Sequence, residues 1–133
     1  MLPITAVLAS LLSVLLIWLS IQVIKRRRQL KVLIGTGDKE ELEWAIRAQG
    51  NFSEYVPIAL ILFAIAEFNK TDWRLLIVFA AILVHGRLLH AYGFLYARDR
   101  LEFRVKGMKL TFLAIFILSI WNLGFVGYQM LAN

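Results

Sequence analysis

The chain has 133 residues, of which 60% are hydrophobic and 18% charged; it has no cysteine and a formal net charge of +6. Soluble domains of this size hold about 45–50% apolar and about 25% charged residues, so the composition argues against a soluble globular enzyme. It argues equally against disorder, which needs few apolar residues. Without cysteine there is no disulfide frame, no thiolate metal site and no protein thiol nucleophile, so any thiol chemistry must use a substrate's sulfur.

Residues 2–24 are almost continuously apolar, interrupted by Thr5, Ser10, Ser13, Ser20 and Gln22. A membrane-crossing helix needs about 20 such residues. The stretch lacks a basic start and a small-residue cleavage site, which predicts a retained helix rather than a signal peptide. Gly35-Thr36-Gly37 then signals a turn. Asp38 followed by Glu41 reads as an N-cap with its capping-box partner. A second helix is expected to start there and to enter the membrane near Trp44, whose amphipathic ring suits the interface. At about 30 residues it would be about 45 Å long, with its membrane span over 44–68 and a kink at Pro57. Further spans are expected over 73–97 and 108–132. The predicted fold is all-α, one integral-membrane four-helix bundle over residues 1–133.

The basic residues are uneven. Lys25, Arg26, Arg27, Arg28, Lys31, Lys39 and Arg47 fall in the first connection, Lys70 and Arg74 in the second, and Arg98, Arg100, Arg104, Lys106 and Lys109 in the third. The positive-inside rule then places the first and third connections in the cytoplasm and both termini outside. The positive charge is thereby an orientation signal, and no nucleic-acid partner is expected, because no soluble domain presents the basic strip.

Ionisable residues inside spans are costly and mark sites, at about 2.5–3.5 kcal/mol each on insertion scales. In the second helix Arg47, Asn51 and Glu54 share a face; in the third, Arg87, His90 and Phe94 share one, with His85, Tyr92 and Tyr96 opposite. Glu54 and Arg87 both fall about 15 Å from the cytoplasmic boundary by helical rise. They are expected to pair, or to join a network with His90 and Asn51. Gly107, Gly124 and Gly127 read as close-packing or turn positions. Two histidines and scattered carboxylates suggest no metal site.

The run Arg47-Ala48-Gln49-Gly50-Asn51-Phe52-Ser53-Glu54-Tyr55-Val56-Pro57 closely resembles the second-helix signature of the MAPEG family, the membrane-associated proteins in eicosanoid and glutathione metabolism. Gly86-Arg87-Leu88-Leu89-His90-Ala91-Tyr92-Gly93-Phe94, followed by Arg104 and Gly107-Met108, resembles the family's small bacterial inner-membrane members. The resemblance implies a homotrimer with glutathione held between neighbouring protomers, open toward the cytoplasm. It implies glutathione binding by Arg47, Asn51, Glu54 and Tyr55, with Gln49, Arg27, Arg87 and His90 as further candidates, and activation of the thiol by Arg104. A lipophilic electrophile or lipid hydroperoxide, arriving from the membrane lipids, would be the second substrate.

Two positions depart from the family pattern. Phe94 stands where a third-helix tyrosine is expected, and Val105 where the prostaglandin-forming member has a serine. Isomerase chemistry is therefore disfavoured, whereas glutathione conjugation, with or without peroxidase activity, is retained. The alternatives are a non-catalytic lipid-binding or scaffold member of the same family and a small multidrug exporter.

Overall fold

A computed structural model describes residues 1–132; Asn133, the last residue of the expected domain, lies outside the described residues. Four helices follow one another: α1 (Pro3–Leu30), α2 (Glu40–Phe68), α3 (Trp73–Leu95) and α4 (Leu101–Ala132). All four are long and apolar enough to cross a membrane. The short connections return the chain each time, so the turn before α2 and the turn before α4 share one end of the bundle.

Helix α1 opens on Pro3, a position where a missing N–H is no loss. It runs past its apolar stretch to carry Arg27 and Arg28 in its last turn, where cations complement the helix dipole. Lys31 closes it in the left-handed conformation, φ 57°. The free N–H groups at its start meet a partner that was not foreseen: Glu67, from the end of α2, accepts from Ile4 N at 2.9 Å and Thr5 N at 2.7 Å.

The expected Asp38 cap is not made. Helix α2 begins at Glu40 with Lys39 as its cap residue and no side-chain cap bond. Asp38 instead takes φ 55° between Gly37 and Lys39, as part of the turn itself. Asp tolerates this left-handed conformation, and the chain uses it to reverse direction. Glu40, Glu41 and Glu43 still place negative charge in the first turn. Helix α4 starts seven residues ahead of the expected span because its charged head, with Glu102 bonded to Arg100 and Lys106, is helical too.

The core runs through Leu12 and Leu19 of α1, Phe52 and Phe63 of α2, Leu76 and Leu83 of α3, and Leu118 of α4. Val7, Val14, Ile61, Val78 and Phe116 are among the apolar side chains turned outward, as a lipid-facing surface requires. The tightest contact is α3 on α4. A Cβ on Gly107 would lie 2.6 Å from His90 N and 2.7 Å from Gly86 O, and one on Gly93 would lie 2.7 Å from Arg104 Cγ. Gly124 and Gly127, read as packing positions, have nothing within 4 Å of an added Cβ. Of the three expected, Gly107 alone permits close approach.

Candidate functional site

The chemistry-bearing side chains gather at the bundle end that holds the first and third connections. Arg104, on the early turns of α4, is half-buried. Its guanidinium carbon lies 4.4 Å from the Trp44 ring centroid and 5.3 Å from that of Phe94. Arg104 Nη2 makes a long contact to the Arg98 carbonyl, 3.5 Å, and its buried Nε has no hydrogen-bond partner among the described residues. His90 donates from Nδ1 to the Arg104 carbonyl at 2.9 Å. Its ring meets that of Phe94 edge-on, centroids 5.0 Å apart, and its Nε2 is buried without a partner.

Two openings flank this group. One, of about 390 Å³, is lined by Glu40, Glu43, Trp44, Arg47 and Phe94. The other, of about 400 Å³, is lined mainly by His90, Phe94, Arg104, Met108 and Phe112, with Lys109 also present. Phe94 belongs to both. One opening is thus charged on both signs and the other mostly apolar, with Arg104 beside their shared wall. Larger apolar grooves, about 480 Å³ along α4 and about 520 Å³ between α1 and α3, carry no charged lining residue.

Glu54 and Arg87 do not pair within the chain. The buried stripe of α2 is Ala45, Ala48, Phe52, Val56 and Ala59. Arg47, Asn51 and Glu54 lie roughly 130° around the helix from it at about 100° per residue. Arg47 and Glu54 are accordingly exposed, and neither side chain forms an ion pair among the described residues. Asn51 is half-buried and donates to the Arg47 carbonyl at 3.1 Å.

Arg87 instead faces inward, 1% exposed. Its Nη1 reaches Thr111 Oγ1 at 3.4 Å and Met108 Sδ at 3.8 Å, its guanidinium sits 5.6 Å from the Phe52 ring, and its Nε has no partner. Sharing a depth along the bundle is not sharing a face. The shared face expected on α3 holds, with Arg87, His90 and Phe94 all buried, but the expected network is not formed: Arg87 bonds Thr111 and Met108, His90 the Arg104 carbonyl and Asn51 the Arg47 carbonyl.

The remaining candidates scatter. Tyr55 packs edge-on to Phe112 of α4, ring centroids 5.4 Å apart. Gln49 reaches Ser20 of α1 at 3.4 Å. Arg27 closes the first connection by donating to the carbonyls of Leu33 and Gly35 at 3.2 and 3.0 Å. Tyr92 and Tyr96 lie on the exposed side of α3, with Tyr92 against Phe103. Within one chain neither takes the place of a hydroxyl at Phe94, and Val105 is exposed beside the apolar opening.

Three contributors have no site role in the sequence reading. Thr111 partners Arg87, and a lone threonine in an apolar span is a signal that was there to read. Met108 lies beside it. Trp44, taken only as an interface ring, is the surface on which Arg104 rests; its position three residues before Arg47 put it next to the polar face.

The chain is similar to known membrane proteins over nearly its whole length. The profile of the MAPEG family matches residues 5–124. The inner membrane protein YecN of Escherichia coli K12 is 34% identical over 127 residues, which cover 96% of this chain and 95% of that protein. The protein of the same name from Escherichia coli O6:H1 matches to the same extent.

Proposed function

The chain belongs to the MAPEG family, and from that premise we propose that it is an inner-membrane glutathione transferase, with peroxidase capacity, that works as a homotrimer. Glutathione carries two carboxylates, an ammonium and a thiol. Arginine recognises a carboxylate through paired in-plane N–H groups, and Arg47 has both its charge and its fork free on the outer face of α2. Asn51, Glu54 and Tyr55 follow on neighbouring turns, with Glu54 suited to the ammonium. An outward-facing recognition set is what a site between neighbouring copies requires. The basic connections face the cytoplasm, so the tripeptide enters from that side while both termini lie outside.

The observation that carries the reading is Arg104. It is a half-buried guanidinium with no carboxylate partner among the described residues, stacked on two rings beside an apolar opening. An ordinary thiol has a pKa of about 8.5, so only a few per cent is thiolate at neutral pH. A fixed cation lowers that value, and each unit corresponds to about 1.4 kcal/mol. In conjugation the thiol proton leaves to solvent and the sulfur forms a bond to an electrophilic carbon, which expels a leaving group or passes its electron pair into a conjugated acceptor that is then protonated. In peroxide reduction the thiolate attacks the terminal oxygen and releases an alcohol. A second glutathione then yields the disulfide and water. His90, with Nδ1 tied to the Arg104 carbonyl, keeps α3 against the turn that carries the guanidinium.

The second reading is a non-catalytic lipid-binding or scaffold member. It is favoured by Phe94 and Val105, which leave the Arg104 neighbourhood without the hydroxyls the family pattern has there. The multidrug-exporter reading finds no support in family membership. Isothermal titration with glutathione, on wild type, Arg104→Ala and Arg47→Ala, separates the first two. Wild-type binding with thiolate absorbance and conjugation of a generic electrophile supports the transferase. Binding without either supports the scaffold, and no binding overturns the transferase.

A further inference from the structure

We propose that Trp44 is a positioning residue for Arg104, holding the guanidinium by its ring face so that the in-plane N–H groups stay free for the thiolate; this rests on the glutathione reading above. The indole is itself fixed. Its Nε1 donates to Glu40 Oε1 at 3.2 Å, one turn earlier on α2, and its ring meets that of Phe94 with centroids 5.5 Å apart. Arg104 is guided from its root as well. The stem crosses α3 at Gly93, where an added Cβ would lie 2.7 Å from Arg104 Cγ, and the tip then comes to rest 4.4 Å from the indole centroid.

The choice of partner matters chemically. A carboxylate would hold an arginine in place but would offset its charge and occupy its N–H groups. An aromatic face attracts the cation through its quadrupole and leaves the edge donors unspent. Glu102, on the same turn of α4, is engaged by Arg100 and Lys106 instead. Apart from the long 3.5 Å contact of Nη2 to the Arg98 carbonyl and the buried Nε, Arg104 thus keeps its charge and its outer donors while losing its freedom to swing, which is what stabilising a thiolate at one place demands.

The test compares Trp44→Leu and Trp44→Phe in the full-length protein in detergent, reading the ultraviolet absorbance of bound glutathione thiolate against pH and, separately, glutathione affinity. Trp44→Leu is expected to raise the apparent thiol pKa by about half to one unit, up to about a tenfold loss of thiolate below that pKa. Trp44→Phe, which keeps a smaller ring face, is expected to recover at least half of the shift. An unshifted Trp44→Leu titration, or equal shifts for both variants, overturns the proposal. If Trp44→Leu does not fold, incorporation of fluorinated tryptophans weakens the ring quadrupole at nearly constant shape. The thiol pKa should then rise with each added fluorine, and no dependence overturns the proposal. A wild type that forms no bound thiolate overturns the transferase reading and this inference together, whereas a normal wild type with an insensitive Trp44 overturns this inference alone.

Discussion

His90 and Arg104 are joined side chain to backbone, with Nδ1 of the histidine donating to the arginine carbonyl at 2.9 Å. A carbonyl oxygen only accepts, so Nδ1 carries a proton, and in the neutral ring Nε2 keeps a free lone pair. The bond ties the first turns of α4 to α3 where the helices are closest. His90→Leu should therefore lose about 1–3 kcal/mol, the range for leaving buried polar groups unmade. His90→Asn places an amide N–H near the Nδ1 position and should recover much of that. Thermal unfolding in detergent, scored by circular dichroism, checks both. Equal midpoints for the two variants would show that the hydrogen bond adds nothing.

The glycines divide cleanly. Gly107→Ala drives a methyl to 2.6 Å from His90 N and 2.7 Å from Gly86 O, both backbone atoms that cannot swing aside. Separating α3 from α4 would also disturb the Arg104 turn. A loss of about 3 kcal/mol, at the upper end for overpacking, is expected. Gly124→Ala meets nothing within 4 Å and should gain about 0.5–1 kcal/mol from helix propensity. Unfolding midpoints of the two variants, measured side by side, should move in opposite directions.

Much of the fold was legible. Four apolar runs became four helices, because in a membrane length and apolarity nearly suffice to specify a span. What periodicity could not give was rotation about the axis. The apolar face of a lipid-exposed helix looks like its core face, so pairing with Arg87 points the polar stripe of Arg47, Asn51 and Glu54 inward, whereas the small and aromatic stripe through Ala48 and Phe52 is the buried one. Asp38 failed as a cap for a local reason, a left-handed turn at φ 55° that a capping pattern does not encode. On α3 the reading of Arg87, His90 and Phe94 as one face succeeded, and Gly86 and Gly93, each one residue before a member of that face, mark where α4 comes close.

The separation of Glu54 from Arg87 has a direct consequence. Reversing both charges, Glu54→Arg with Arg87→Glu, should fold no better than Arg87→Glu alone. Arg87 is held by Thr111 and Met108, with no carboxylate partner among the described residues. Thr111→Val should cost about 1–3 kcal/mol by removing an acceptor from a buried cation. Arg87→Met on that background should restore stability, since apolar replacement of buried charge is often neutral or stabilising. A double-mutant cycle on unfolding midpoints measures the coupling. A zero coupling energy would mean that Thr111 does not support the guanidinium.

Glu67 secures the opposite end of the bundle. Its two carboxylate oxygens accept separately from Ile4 N and Thr5 N, both within the first turn of α1. A helix leaves its first four N–H groups unpaired, and Pro3 and the apolar residues around it supply no side-chain cap. The carboxylate fills that place from another helix, and its charge also suits the positive end of the α1 dipole. Glu67→Ala should cost about 1–2 kcal/mol, in line with loss of a good cap. Glu67→Gln keeps one oxygen acceptor and should cost less than half as much. Hydrogen exchange at the first turn of α1 gives the sharper reading. The amides of Ile4 and Thr5 should exchange faster in Glu67→Ala while those of the α3–α4 contact stay unchanged. Uniform acceleration across the chain would show that Glu67 supports the bundle as a whole and not the α1 terminus in particular.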